Sequence, residues 1–431
     1  MVTSAALLAS AAGCDSATTE DTAATTILIA ADLELTGSAA SVGNAYRQAL
    51  ELKRDQLNAA AGPNGLRIEL DIKDNRSDSK LSAQNITQFA NNSSVAALIT
   101  GTCAECLTAS LETIKQRKLP TISLSPSSDV VTPLDDSRQF VFKIASNPLD
   151  NASALVSEME SAAIDRVALV WTEDAYGKNA RDAIVGETGA ADIRIVANRQ
   201  ITPGDEKVDT AVGQAIASSP KALVVAALPD RAQEVVISAR NAGFEGQIFL
   251  DAAAAGDLFL SKEGQAATDN ATLVFSQTLS INGVIANTPI KALRQAWAAE
   301  YTSRYGTYYG PSSFAADAMQ IIANSVDRAG GTNGDALRGA IETAQLDGLT
   351  GPIRLTPTNH SGLMPQTLVT LVANGGRWQL KPDAVERRRG PAVRRAPFRM
   401  RVRPRSRWPT AAAASPPTRS GSTTARSSAR A

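Results

Sequence analysis

Ile27-Leu28-Ile29-Ala30 and Leu66-Arg67-Ile68-Glu69-Leu70-Asp71-Ile72 bracket a helical pattern that keeps Tyr46, Ala49, Leu50 and Leu57 on one face. The first run is continuously apolar, as in a strand buried on both sides. The second alternates with period two, as in a strand exposed on one side. Strand, helix and strand in this order make a βαβ unit, whose crossover sets the two strands parallel.

The rhythm carries on along the chain. Strand patterns recur at 95–100, 121–125 and 140–145, with helical patterns at 81–90 and 107–116 between them. A second series then begins, with strands at 167–171, 193–196, 222–228, 247–250 and 271–276. Its helices fall at 152–163, 178–185, 208–217 and 232–242. Beyond Asn282 helical patterns dominate, at 289–305, 312–329 and 335–344, before two last strand patterns at 353–356 and 367–372. The fold class expected is α/β, with two doubly wound parallel-sheet lobes joined by a hinge of three crossings. The crossings are expected at 146–148, 278–282 and 349–352, where the sequence is polar or carries Gly and Pro. Residues 26–146 with 280–350 then form lobe 1, and 147–279 with 351–382 form lobe 2.

Charge divides the chain sharply. The formal net charge is zero, yet thirteen Arg and no Lys, Asp or Glu lie from Arg387 to Ala431, so the preceding residues carry about −13. An acidic body argues against a nucleic-acid binder, which needs a basic face. The stretch 383–431 is rich in Arg, Pro, Ala and Ser and has too few large apolar residues to offset ordering entropy. It reads as a disordered tail, either a polybasic arm for anionic lipid or translation out of frame. No run approaches the ~18–20 apolar residues of a membrane span.

At the other end, Ala5-Ala6-Leu7-Leu8-Ala9 leads into Ser10-Ala11-Ala12-Gly13-Cys14, with a polar linker beyond. This resembles a bacterial lipoprotein signal and implies export, lipidation of Cys14 and residues 1–25 as signal remnant and linker. Of three cysteines, lipidation leaves the pair Cys103 and Cys106, either a small-loop disulfide or two reduced thiols.

Several catalytic chemistries lack their residues. His360 is the sole histidine and sits in a loop-like stretch with no nucleophile elbow in the chain. Neither a phosphate-loop pattern nor G-x-G-x-x-G after a strand occurs, and a zinc site has no ligand cluster. The expectation is a binding protein with no enzymatic activity, no cofactor and no metal.

Seven segments in order resemble the periplasmic type I solute-binding receptors for branched-chain amino acids and related solutes. They are Leu35-Thr36-Gly37-Ser38-Ala39-Ala40, Asn58-Ala59-Ala60-Ala61-Gly62, Leu119-Pro120-Thr121-Ile122-Ser123 with its following serines, and Asp174-Ala175-Tyr176-Gly177-Lys178. Ala239-Arg240-Asn241-Ala242-Gly243-Phe244, Phe314-Ala315-Ala316-Asp317-Ala318 and Gly348-Leu349-Thr350-Gly351-Pro352-Ile353 complete the set. The resemblance covers roughly residues 26–380. It implies capture of a small polar solute, an amino acid or related compound, by hinge closure. The partners implied are that solute, an ATP-binding-cassette permease and the membrane through Cys14, with a monomeric chain. A tethered sensor of the same fold is the alternative.

Candidate site residues follow from the same comparison. Ser125 ends a strand, and Ser127, Ser128 and Asp129 open the next element, where hydroxyls and amides either clamp a ligand carboxylate or simply cap the turn. Cys103 and Cys106 flank the same mouth, with Cys106 turned to the ligand and a disulfide stiffening the wall. Tyr176 projects from the opposite lobe. The family's glutamate for a ligand ammonium is missing after 247–250, and Asp251 stands one residue earlier, either in that role or as a helix cap.

Overall fold

From Thr26 the chain alternates through β1 (Thr26–Leu33), α1 (Ala40–Ala61), β2 (Arg67–Asp74), α2 (Ser79–Asn91), β3 (Val95–Thr100), α3 (Ala104–Thr108), α4 (Leu111–Gln116), β4 (Thr121–Ser123) and β5 (Val141–Lys143). The computed structural model describes residues 26–61, 65–204, 207–256, 262–283 and 285–381. The expected lipid attachment at Cys14 and the Arg-rich stretch 383–431 lie outside them. The five strands form one parallel sheet in the order β2-β1-β3-β4-β5. Composition follows position. The central β3 is buried at every residue, whereas the edge strand β2 buries Ile68 between exposed Arg67 and Glu69.

The second series repeats this plan. It runs α5 (Pro148–Ser161), β6 (Arg166–Thr172), α6 (Ala175–Ala190), β7 (Arg194–Ile201), α7 (Asp209–Ala217), β8 (Ala222–Ala226), α8 (Pro229–Asn241), β9 (Gln247–Leu250), α9 (Lys262–Thr268) and β10 (Thr272–Ser276). Its parallel strands lie in the order β7-β6-β8-β9-β10, the same winding as the first sheet. In each sheet the strand order reverses beside the first strand of the series. That creates a crevice beyond the carboxyl ends of two neighbouring strands, where ligands settle in doubly wound folds.

The chain then returns to the first lobe as α10 (Pro289–Tyr305), α11 (Ser312–Ala329) and α12 (Gly334–Glu342). Helix α11 buries Phe314, Met319, Ile321, Ile322 and Val326, each side chain contributing about 1.5–3 kcal/mol. Helix α10 docks on α1, where Tyr301 donates to Gln48 Oε1 at 2.8 Å and Arg304 pairs with Asp55 at 2.6 Å. The hairpin β11 (Gln345–Asp347) and β12 (Pro352–Arg354) follows. Finally β13 (Leu368–Ala373) and β14 (Trp378–Leu380) extend the second sheet antiparallel beside β10.

The third crossing needs a correction. It was expected at 349–352, with residues from 351 onward in lobe 2. Instead β12 pairs back on β11, and the following segment runs beside β5, where Lys143 donates N–H to His360 O at 2.8 Å and accepts from Gly362 N–H at 2.8 Å. We therefore place this crossing at 362–367. The turn residues Gly348 and Gly351 misled the sequence reading because a hairpin and a hinge use the same chemistry. Beside this strap the buried Lys143 Nζ donates to Ala145 O, Ser146 O and Asn147 Oδ1 at 2.6, 2.8 and 3.1 Å. Ser361 Oγ joins it on Asn147 Oδ1 at 2.7 Å, tying two crossings together.

Candidate functional site

The two crevices face one another across a cavity of about 300 Å³. From the first lobe it is lined by Ser38 and Ala39 after β1 and by Thr102 and Cys103 after β3. From the second it is lined by Glu173 and Asp174 after β6 and by Leu228 after β8. These four loops are those that the strand reversals open. Thr102 and Leu228 also border a separate apolar cleft of about 20 Å³ whose walls include Val42, Tyr46, Leu124, Phe275 and Phe314.

Local chemistry fixes each wall. Asp174 caps α6, accepting the Gly177 N–H at 2.7 Å. Burial raises its pKa to about 6, against the pull of that N–H, with Glu105 adding to the rise. Gly177 is required because a Cβ there would stand 1.9 Å from Thr172 O. Gly177→Ala is therefore expected to destabilise the protein by about 1–3 kcal/mol in urea unfolding; an unchanged midpoint would show that the β6–α6 turn yields freely.

The first-lobe wall rests on a buried carboxylate. Glu34 is fully buried and accepts N–H from Thr102 at 3.0 Å and from Cys103 at 3.1 Å. Burial raises its pKa, opposed by those two amides. Cys103 and Cys106 are joined as a disulfide with Cα atoms 5.2 Å apart. The Glu34 carboxylate and both sulfurs lie within 4.8 Å of one another. Metal ligation by cysteine needs thiolates, so in the disulfide state this trio is no metal centre.

The expected site residues separate into three groups. Tyr176 lines the cavity with its ring, and its hydroxyl donates to Asp251 Oδ2. Asp251 is 1% exposed, accepts Ala253 N–H at 3.1 Å as the cap of a short turn, and lies behind Tyr176 rather than on the cavity wall. Ser125 is fully buried and accepts Ser127 N–H at 3.2 Å, while the buried Cys106 donates its N–H to Cys103 Sγ at 3.1 Å. Ser127, Ser128 and Asp129 face the other lobe. Asn179 Oδ1 takes the Ser127 hydroxyl at 2.8 Å and the Ser128 N–H at 2.9 Å, and Asn179 Nδ2 donates to Asp129 Oδ1 at 3.2 Å.

Asn179 was missed from sequence. It stands three residues after Tyr176, one helical turn on, and that spacing was the available signal. Glu105, expected at the mouth beside Cys103 and Cys106 but given no role there, reaches across with Oε1 to accept the Ala175 N–H at 2.6 Å, at the start of α6. Asn179 and Glu105 thus latch the two lobes in a closed arrangement.

Comparison with known proteins accords with this geometry. The profile of the family described as periplasmic binding protein matches residues 26–377. An extracellular ligand-binding receptor from Rhodopseudomonas palustris HaA2 shares the fold with a TM-score of 0.74 at 20% identity, over 82% of this chain and 99% of that one. A branched-chain amino acid transporter substrate binding protein from Streptococcus pneumoniae, in complex with isoleucine, gives 0.69 at 21% identity, over 82% and 98%. A solute binding protein from R. palustris, in complex with benzoate, gives 0.72 at 16% identity, over 82% and 95%. At such identities the likeness is one of fold.

Proposed function

We propose, from the premise that this chain belongs to the periplasmic binding protein family, that it captures a small organic solute between its lobes. The closed form is then presented to a membrane permease of the ATP-binding-cassette class. The fold and family are those of solute-binding proteins acting outside the cytoplasm, and tethering through Cys14 is the anchor we propose.

The observation that carries this reading is the cavity at two facing crevices. Its size suits a molecule on the scale of an amino acid, and the contacts that bound it bridge the lobes. Hydrogen bonds across the gap contribute about 0.5–1.5 kcal/mol each where both partners are neutral and about 1.5–3 kcal/mol where a carboxylate of Glu105 or Asp129 accepts. Asn179 and Glu105 thus favour closure, and a solute buried beneath them shifts the equilibrium further towards it.

The test is a thermal-shift panel on the full chain, refolded from denaturant to remove carried-over solute. Amino acids, amines, amides, short organic acids and sugars are the classes to offer. A solute at a hundredfold excess over its dissociation constant adds about 2.7 kcal/mol to apparent stability. One class is expected to raise the midpoint and to reduce the radius of gyration in X-ray scattering. Silence from every class would remove the receptor reading.

A further inference from the structure

We infer that Cys103–Cys106 is a thiol–disulfide exchange site, reduced through Cys103 by a small thiol that enters from the cavity between the lobes. The inference is independent of which solute the lobes capture. The two sulfurs differ in access. Cys103 is half-buried and lines the cavity, whereas Cys106 is 2% exposed and lies behind it. A nucleophile arriving through the cavity therefore meets Cys103 Sγ, and the bond that breaks leaves its electron pair on Cys106. The space of about 300 Å³ suits a small thiol. A cysteine carried on another protein has Asp174, Tyr176 and Leu228 of the second lobe in its way.

The wall is built to survive the opening of the bond. The disulfide joins residues only three apart in sequence, so it restrains the unfolded chain less than a long-loop disulfide does. Other contacts hold the same backbone. Glu34 accepts the Thr102 and Cys103 amides, and Glu105, between the two cysteines, accepts the Ala175 N–H. Ala104 and Leu107 are anchored in the core of the first lobe. The two thiols thus stay side by side and can close again. Cys103 Sγ also accepts the Cys106 N–H at 3.1 Å, which favours a thiolate on the sulfur that faces the cavity.

Glu34 supplies the proton that the leaving sulfur needs. Its carboxylate lies within 4.8 Å of both sulfurs. Burial raises its pKa against the pull of the two amides, Asp32 adds to the rise, and the buried Tyr46 stays neutral. In the first step the small thiolate attacks Cys103 Sγ, the S–S bond breaks, and Cys106 Sγ takes the electron pair and the Glu34 proton. A second thiolate then attacks the sulfur of the bound thiol, releasing Cys103 as a thiolate. The protons given up by the two small thiols return to Glu34 and Cys103. The small thiols leave as one disulfide, and the protein gains two electrons and two protons.

The test incubates the full chain with glutathione, quenches with iodoacetamide and maps peptides by mass, which keeps Cys14 apart. The pair is expected to open with an unchanged circular dichroism spectrum and to close again in oxidised glutathione. The lone Cys103 left by Cys106→Ser is expected to form a mixed disulfide with oxidised glutathione at least about tenfold faster than the lone Cys106 left by Cys103→Ser. The opening rate divided by thiolate concentration is expected to fall as pH rises through the titration of Glu34, and to stay flat in Glu34→Gln. A pair that resists glutathione in the folded protein overturns the inference, as does one that yields to reduced thioredoxin and not to glutathione. Equal or faster reaction at Cys106 overturns it as well. A normalised rate independent of pH in the unsubstituted protein overturns the role of Glu34. The two cysteine substitutions decide the site even where Glu34→Gln does not fold.

Discussion

Asp317→Ala is expected to lower the unfolding free energy by about 3–5 kcal/mol at pH 7.5, measured by urea denaturation. The Asp317 carboxylate is 2% exposed and accepts the Leu349 N–H at 2.7 Å and the Thr350 N–H at 2.8 Å. Hydrogen bonds to an ionised partner are worth about 1.5–3 kcal/mol each. Removing the carboxylate also strands two buried amides in a segment whose geometry is fixed elsewhere. Arg294 holds Gly348 O from Nη2 at 2.8 Å, and Ser276 Oγ donates to Thr350 O at 2.5 Å. The segment therefore cannot turn its amides out to water without breaking those bonds. Asp317→Asn keeps one acceptor and is expected to lose about half as much. Asp335→Ala removes an exposed pair with Lys118 and is expected to cost less than about 1 kcal/mol. Equal losses at 317 and 335 would show that the 348–350 segment is not held from α11.

That carboxylate also explains which features the sequence made legible. The Phe314–Ala318 and Gly348–Ile353 motifs looked like separate family marks, and they are the two halves of one contact. A Cβ on Gly348 would stand 2.5 Å from Asp317 Oδ2, so the glycine and the aspartate constrain each other. The Asn58 motif works similarly, since its side chain donates to Ile68 O and accepts Ile68 N–H like an added strand residue. Motifs of this kind encode the framework, and the α/β class and the two-lobed winding were readable from them together with the strand periodicity. The cavity was less readable. Ser127, Ser128 and Asp129 were picked out as one clamp, but Asn179, their partner, meets them only when the lobes close. No local spacing announces such a contact. Glu34 reads as an ordinary polar residue after a strand, and its complete burial comes from packing under the Thr102–Cys103 amides. Asp251 looked equally fit for a ligand ammonium or a turn cap, and only the placement of the Tyr176 ring shows which group stands in front.

The same pair yields a pH dependence of stability in the acid range. Burial raises the pKa of Asp251 to about 7, with the Tyr176 hydroxyl and the Ala253 and Ala254 amides pulling it back down. Between the ordinary value of 3.8 and about 7 the folded protein holds this proton and the unfolded chain releases it. Stability is therefore fully present below 3.8, falls as pH rises through this window, and levels off above 7. At 1.36 kcal/mol per pH unit the fall reaches up to about 4 kcal/mol from Asp251 alone. Asp174 and Asp317, each raised to about 6 chiefly by burial, act in the same direction. In Asp251→Asn the urea-derived free energy is expected to lose the part of its decline that runs on from about pH 6 to 7 and a share of that between about pH 4 and 6, where Asp174 and Asp317 keep the rest. Tyr176→Phe removes a donor that favours the ionised carboxylate, so its decline should run on to higher pH than in the unsubstituted protein. A decline unchanged in Asp251→Asn would mean that this carboxylate ionises as freely in the fold as in water, and the Tyr176–Asp251 contact would then have to be an exposed one.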